Sequence, residues 1–366
     1  MTMHRFRALL GALLGVCFFV SYGAGCALCP GLPFCPNPVE CAGKTFDTAC
    51  AVTLDLSGAA TIVGTLTDNQ PNVYDLGPAQ PGDRIIVTIT ADAGSSLDPT
   101  VALFNGDRHL LAYNDDIDFA AGNYNAGFDE ILSVAGQRHY LAVAKFRFDP
   151  HGGAYTGTIR VERGGTFPTP PVQYLLLNFA GGTVTLPGEG TLNLTAFDAA
   201  DIDAAYAGKT AEIRAKVVET VRRAYAGTGL VVITDGDPLP PGSCGYSTIF
   251  FGGYSSNKFG LAQSVDQGNR NRCDDGIVFT NDFDKPFALQ PTAAGIGTAI
   301  GNVAAHEAGH LLGLNHVADV SDLMDNTGTA STLLADQVFK TSTLSPDVFP
   351  IGLQNGPLML QRVVPK

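Results

Sequence analysis

Basic residues are scarce in this chain of 366 residues: 22 Lys and Arg stand against 35 Asp and Glu, a formal charge of -13. A polyanionic partner such as DNA or RNA would meet net repulsion, so nucleic-acid binding is set aside. Charged residues of either sign make up only 16% of the chain and apolar ones reach 45%, which is too little charge and too much core for long disorder. Long apolar runs are missing as well. Beyond the leader, no segment approaches the ~20 apolar residues that a membrane span needs. What is plentiful is Gly (43) and Pro (22), the composition of a turn-rich, β-containing globular protein. The length holds two domains of ~100–150 residues and a leader.

Residues 1–25 read as an export signal, with His4, Arg5 and Arg7 as a basic start and Ala8 to Val20 as an apolar run ending in small residues. The mature chain is therefore expected outside the cytoplasm. Gly23-Ala24-Gly25-Cys26 resembles the end of a bacterial lipoprotein signal, although Gly23 stands where that pattern prefers Leu. Lipidation of Cys26 and ordinary cleavage nearby both stay open, so the expected location is either secreted or a cell-surface, outer-membrane lipoprotein. Any membrane contact would run through that anchor alone. If Cys26 carries lipid and Cys17 leaves with the leader, six cysteines remain and can pair completely: Cys29, Cys35, Cys41, Cys50, Cys244 and Cys273. The natural partition joins the first four among themselves and bridges Cys244 to Cys273. A four-cysteine zinc site within 29–50 is disfavoured, because export favours disulfides and no C-x-x-C pair stands on each side.

Residues 26–45 are short, Pro-rich and Cys-rich, which predicts a stapled tether. From 46 to 163 the text turns to short alternating runs. Ile85, Val87 and Ile89 share one face, as do Tyr155, Gly157, Ile159 and Val161, which is the period of half-buried strands in an all-β sandwich. Asn105-Gly106 predicts a two-residue hairpin turn. The succession Asn72-Val73-Tyr74-Asp75-Leu76, Pro81-Gly82-Asp83, Leu97-Asp98-Pro99, Asn114-Asp115-Asp116 and Gly153-Ala154-Tyr155 resembles the pre-peptidase C-terminal type of β-sandwich. The resemblance implies an accessory domain without chemistry of its own. Asp115, Asp116 and Asp118, with Asp129 and Glu130 further on, are candidate oxygen ligands for a structural Ca²⁺, though their spacing is not that of an EF-hand.

Gly164 to Val172 is a Pro- and Gly-rich linker, and 173–366 forms the second domain. Tyr174–Phe179 predicts a strand, and a helix lies within Ala199 to Ala226, with Ile213, Val217, Val221 and Tyr225 on one face. Leu230–Thr234, Thr248–Phe251 and Ile277–Thr280 predict strands, and Ile296 to Leu312 a second long helix. The result is an α/β domain, a mixed sheet with two long helices. Thr248–Phe251 or Gly252-Gly253 is the candidate edge for pairing with an extended peptide.

Residues 306–316 read His-Glu-Ala-Gly-His-Leu-Leu-Gly-Leu-Asn-His. On a helix His306 and His310 lie one turn apart on the same face, so both imidazoles can meet one metal. Gly313 can end that helix in the left-handed conformation and let His316 return as a third ligand. Three nitrogens on a tetrahedral Zn²⁺ leave one position for water, as in a catalytic zinc site, and Glu307 is placed to take that water's proton. This string followed by Met324 resembles the metzincin proteases. The resemblance implies zinc-dependent endopeptidase activity on protein or peptide substrates, with Met324 in a tight turn beneath the histidines. Where some subfamilies place a Tyr ligand two residues after that Met, this chain has Asn326. Asp319 is a candidate for orienting a ligand histidine, or else a capping residue. Cys244 lies inside the catalytic domain, which argues against a latency switch. A non-catalytic adhesion protein and a hydrolase of other amides or esters are the competing functions; the intact Glu307 speaks against the first, and casein digestion separates the second.

Overall fold

The computed structural model describes residues 37–241 and 245–366. The leader, Cys26, Cys29, Cys35 and Cys244 lie outside the described residues. Among the described residues the first half of the chain holds ten strands: β1 (Val39–Glu40), β2 (Cys50–Ala51), β3 (Ala59–Leu66), β4 (Asn72–Ala79), β5 (Arg84–Ala91), β6 (Pro99–Asn105), β7 (Leu110–Asn114), β8 (Ala126–Ile131), β9 (Gly136–Lys145) and β10 (Gly153–Glu162). They form two sheets, ordered β1-β3-β10-β5-β8 and β2-β4-β9-β6-β7. In the first sheet the period-two pattern sets the register: Val87 faces Ile159 and Ile85 faces Val161 across the β5–β10 ladder, all four buried. The second sheet supplies Val101, Leu103, Leu141 and Val143 to the same core.

The chain joins the sandwich before residue 46. Val39-Glu40 already pair with Ile62-Val63, and Cys41 is buried, so the expected tether gives out within its last residues. A Cys41–Cys50 disulfide links the end of β1 in one sheet to β2 in the other. The β6–β7 turn also differs from expectation. Asn105 accepts the Arg108 N–H at 3.0 Å and donates its own to the His109 carbonyl at 3.0 Å, and the left-handed residue is Arg108 at φ 66°. This is a longer loop ending in a bulge, held by the Asn105 carboxamide, whose Oδ1 accepts from the Asp107 and His109 amides at 3.0 and 2.9 Å.

Three of the five acidic residues considered for calcium are engaged elsewhere. Asp129 pairs with Arg84 and Glu130 with Arg362, while Asp118 Oδ1 accepts the Ala121 N–H. Their spacing along the chain carried no information about which arginines would reach them.

The second half holds β11 (Tyr174–Asn178), β12 (Gly182–Leu186), β13 (Gly190–Leu194), α1 (Thr210–Ala224), β14 (Val231–Thr234), β15 (Tyr246–Phe251), β16 (Gly260–Ala262), β17 (Asp275–Val278), α2 (Ala293–Leu311), β18 (Thr341–Thr343), β19 (Leu353–Asn355) and α3 (Gly356–Val363). A mixed sheet runs β14-β11-β15-β17-β16, parallel except for β16. Because β15 lies between β11 and β17, Thr248–Phe251 is not an edge, and of the alternative Gly252-Gly253 the Gly252 N–H donates to the Val278 carbonyl at 3.1 Å; the two edges of the sheet are β14 and β16. Helix α1 buries Ile213, Val217 and Val221 against α2, which is itself buried along almost its whole length. Thr292 caps α2, its hydroxyl accepting the Gly295 N–H at 3.1 Å. Cys273 is disulfide-bonded.

The two halves meet over a broad front. Arg362 of α3 donates to the Leu111 carbonyl at 2.9 Å and pairs with buried Glu130, and Arg270 donates to the Asp129 carbonyl at 2.7 Å. A crevice of about 490 Å³ remains there, bounded by Phe167, Pro168 and several arginines, and it does not touch the histidines. One consequence concerns the disulfide, which spans a sequence separation of 9. Replacing Cys41 and Cys50 together by Ser should lower stability by about 2–3 kcal/mol in guanidinium unfolding, the loop-closure value for such a short ring. An unchanged midpoint would mean that the two sheets need no staple.

Candidate metal centre

Helix α2 carries His306, Glu307 and His310 in its last two turns. It ends in a reversal with two crossing bonds: Gly313 N–H donates to the His310 carbonyl and Leu314 N–H to the Gly309 carbonyl, both at 2.9 Å. Gly313 sits at φ +90°, which a side chain would strain, and an added Cβ would lie 2.7 Å from the Asp266 carbonyl oxygen. The turn brings His316 back against the helix. The three Nε2 atoms then converge, 3.1 Å apart for His306–His310 and His310–His316 and 3.2 Å for His306–His316.

For two of the three, the other ring nitrogen explains why Nε2 faces inward. Nδ1 of His306 donates to the Leu323 carbonyl and Nδ1 of His310 to the Leu314 carbonyl, each at 2.8 Å. A carbonyl only accepts, so the proton of each neutral ring is on Nδ1 and Nε2 is a bare lone pair. Two such lone pairs at 3.1 Å repel one another unless a cation lies between them. Tetrahedral zinc with ~2.0–2.1 Å bonds holds its nitrogens ~3.3 Å apart, close to the spacing found here. Among the described residues these histidines are the one group of His, Cys, Asp or Glu arranged to hold a metal.

Met324 lies beneath them, fully buried, and a Cβ on Gly309 would fall 2.5 Å from its sulfur. Only glycine there lets the turn sit so close to the helix. The turn is shaped by Asp322, which is buried: its Oδ1 accepts the Met324 N–H at 3.0 Å and its Oδ2 the Ser342 hydroxyl at 2.7 Å. The sequence reading missed Asp322 and considered Asp319 instead. Asp319 instead holds a local turn, accepting the Ser321 amide at 3.0 Å and hydroxyl at 2.6 Å. Histidine orientation falls to backbone carbonyls, which no residue-type pattern announces. Of the predicted bridge Cys244–Cys273, Cys273 is in a disulfide and Cys244 lies outside the described residues.

Glu307 is buried on the cleft side, against β16. Its carboxylate accepts the Ala262 N–H, and a Cβ on Gly260 would lie 2.5 Å from its Oε1. Burial pushes this carboxyl up to about 8, against the pull of the Ala262 amide and Lys258. The cleft in front of it measures about 410 Å³ and is bounded by His306, His316, Val303, Leu323 and Leu333.

Three convergent imidazoles and a buried carboxyl opening on one cleft make a site suited to a metal ion. Residues 259–337, from β16 through the Met324 turn, match the matrixin family (Peptidase_M10: Matrixin), a family of zinc peptidases. Among solved structures, archaemetzincin from Methanopyrus kandleri is similar at 12% identity, covering 52% of this chain and 94% of its own, with a TM-score of 0.27. The first half is similar to the pre-peptidase C-terminal domain of a Bacillus anthracis collagenase, at 18% identity, 31% and 94% coverage and a TM-score of 0.24. It is also similar to PliG of Aeromonas hydrophila, a periplasmic inhibitor of g-type lysozyme, at 15% identity, 31% and 96% coverage and a TM-score of 0.25. Likenesses at these scores carry nothing about function. No curated protein matches the chain.

Burial also sets how protons compete for the site. It holds His306 below the ordinary imidazole value, His310 well below it, and pushes His316 down to about 4. Zinc loading should therefore resist acid: equilibrium dialysis should show proton competition setting in below about pH 5 rather than near the ordinary value of ~6.5. In the metal-free chain the sign is the same. Between pH ~6.5 and the folded value the unfolded histidines take up protons that the folded ones refuse, so their contribution to stability falls as the pH falls. Zinc lost along an ordinary histidine titration curve would show that the rings are solvated.

Proposed function

We propose that the protein is a zinc-dependent endopeptidase that cleaves proteins or peptides outside the cytoplasm, with Glu307 as its general base and acid. The observation that carries this reading is the placing of Glu307. A buried carboxyl opens onto the same cleft as the convergent Nε2 atoms, and a purely structural metal site has no use for one. His306, His310 and His316 would hold the zinc ion, which when bound supplies Lewis acidity toward a scissile carbonyl and an acidified water. Glu307 takes the proton of the attacking water and returns it to the leaving amine. The low-dielectric wall around Glu307 favours the neutral acid, and a divalent cation nearby favours the carboxylate, so a filled site prepares the base.

The substrate backbone has an edge to meet. Phe259 and Gln263 bond toward β17, which leaves the outward groups of Gly260 and Ala262 on the cleft side, where Ala262 already donates to Glu307. An extended peptide laid along β16 would bring a main-chain carbonyl toward the histidines without any side chain being read, which supports cleavage within chains. The Cys41–Cys50 disulfide supports an oxidising compartment, in keeping with an exported protein that is either free or anchored through Cys26.

Glu307→Ala separates metal binding from catalysis. Zinc should stay near one per chain by atomic absorption, because the three nitrogens are untouched, while casein hydrolysis should slow by at least ~10²–10⁴-fold. Replacing any of the three histidines by Ala should lose zinc and activity together. A Glu307→Ala protein that keeps its zinc and digests casein at the parent rate would sink the proposal.

A further inference from the structure

His306 and His310 are fixed by the helix that carries them, whereas His316 stands beyond the helix end. Its place depends on what the backbone around it is bonded to. The Asn315 N–H donates to Gln354 Oε1 and Gln354 Nε2 donates back to the Asn315 carbonyl, both at 2.7 Å. The Ser345 N–H donates to the His316 carbonyl at 3.0 Å, and the Ala318 N–H to the Thr343 carbonyl at 2.9 Å. Apart from the Val317–Met324 bond, this support comes from the β18–β19 hairpin and its loop, residues 341–355.

That same hairpin is planted in the sandwich. Its loop drives Leu344 and Phe349, both buried, into a cluster with Phe46, Phe104, Leu110 and Tyr140, on the face of the second sheet turned away from the sandwich core. The Phe349 ring lies 5.8 Å from that of Phe104 and 6.2 Å from that of Tyr113, centroid to centroid. Gly352, at φ +99°, presses its backbone on Phe104, whose Cε1 would be 2.2 Å from any Cβ there. The Leu353 N–H donates to the Arg108 carbonyl at 2.9 Å, joining β19 directly to the β6–β7 turn. Gln354, the next residue, is the one that grips Asn315.

We infer that the β-sandwich positions the third metal-binding histidine, through a wedge of residues 341–355 seated on the sandwich on one side and bonded to the backbone of residues 315–318 on the other. The inference rests on the reading of His306, His310 and His316 as a metal site. Phe104, Phe349, Gly352 and Gln354 are then positioning residues. A site of three nitrogens tolerates displacements of only ~0.2 Å, so a shift of the wedge is felt at the metal before the helix itself moves.

The test uses the full chain loaded with zinc and follows metal transfer to a competing chromogenic chelator. Phe349→Ala should accelerate release about tenfold, the ordinary range for residues that support a ligand. Phe104→Leu, milder and wholly within the sandwich, should give a smaller acceleration of the same kind, and Phe349→Leu should restore most of the parent behaviour. Ile89→Ala, in the sandwich core and away from the wedge, serves as the control: it should lower the melting temperature and leave release unchanged. In the metal-free protein the Ser345 amide should exchange faster in the wedge variants alone. Parent-rate release and exchange in a cooperatively folded Phe104→Leu protein would overturn the inference, as would equal acceleration by Ile89→Ala. A parent chain that binds no zinc would instead overturn the metal reading, while the Ser345 exchange would still decide whether the sandwich holds this segment.

Discussion

A carbonyl oxygen accepts hydrogen bonds and cannot donate them, and at the end of α2 that asymmetry governs everything nearby. With the Leu323 and Leu314 carbonyls facing Nδ1 of His306 and His310, each neutral ring must turn an unprotonated nitrogen toward its neighbour. Lone pairs brought within 3.1 Å cost free energy that other parts of the fold must offset until a cation removes the cost. The features that offset it are rigid ones. They include a helix buried along its length, a glycine-closed reversal, and a turn held by the buried carboxylate of Asp322. Each of them fixes either a ring whose Nε2 faces the shared position or a carbonyl that bonds such a ring at Nδ1.

The site is therefore assembled from three separate stretches of chain. Helix α2 supplies two of the histidines and Glu307, the reversal at Gly313 supplies the third histidine, and the Leu323–Met324 turn supplies both a carbonyl acceptor and the floor. The β-sandwich joins them at one remove. Strands β6 and β9 are buried on both faces, one lining the sandwich core and the other taking Leu344 and Phe349 from the second half of the chain. Burial on both faces makes the sandwich part of the tertiary structure of the second half and leaves little room for independent tumbling on a linker.

How much of this was legible follows from how local each signal is. The three histidines, Glu307 and the closing glycine stand within eleven consecutive residues, and helical geometry alone brings His306 and His310 together. Strands β5 and β10 alternate because one of their faces is solvated, so their register can be read directly. Val101–Phe104 and Tyr140–Ala144 do not alternate, and a continuous apolar run is what a strand covered on both faces looks like. The run announces that a cover exists but not where in the chain the cover lies. The same limit explains the acidic residues: Asp129 and Glu130 read as cation ligands until Arg84 and Arg362 are seen to reach them from elsewhere in the chain. It explains Asp322 as well, since its partners Ser342 and Lys340 come from the β18 region and backbone bonds leave no mark in residue type. Strand β16 was missed because it is three residues long and contains a glycine, which is what an edge packed on the buried carboxyl of Glu307 requires.

Glu307 joins these constraints in one group. Placed against the backbone of β16, it gives up most of its solvation, and burial alone would keep it a neutral acid at physiological pH. A neutral acid cannot accept a proton. Three positive influences pull in the other direction: the Ala262 amide and Lys258 already in place, and the charge that a divalent ion would bring to the three nitrogens beside it. The desolvation that disfavours the carboxylate in the metal-free chain would thus make it a stronger base, with a pKa nearer neutrality, once the ion's field is added. Burial of Glu307 and crowding of the imidazoles are in this sense the same device, since each is unfavourable alone and each is relieved by one cation in one place.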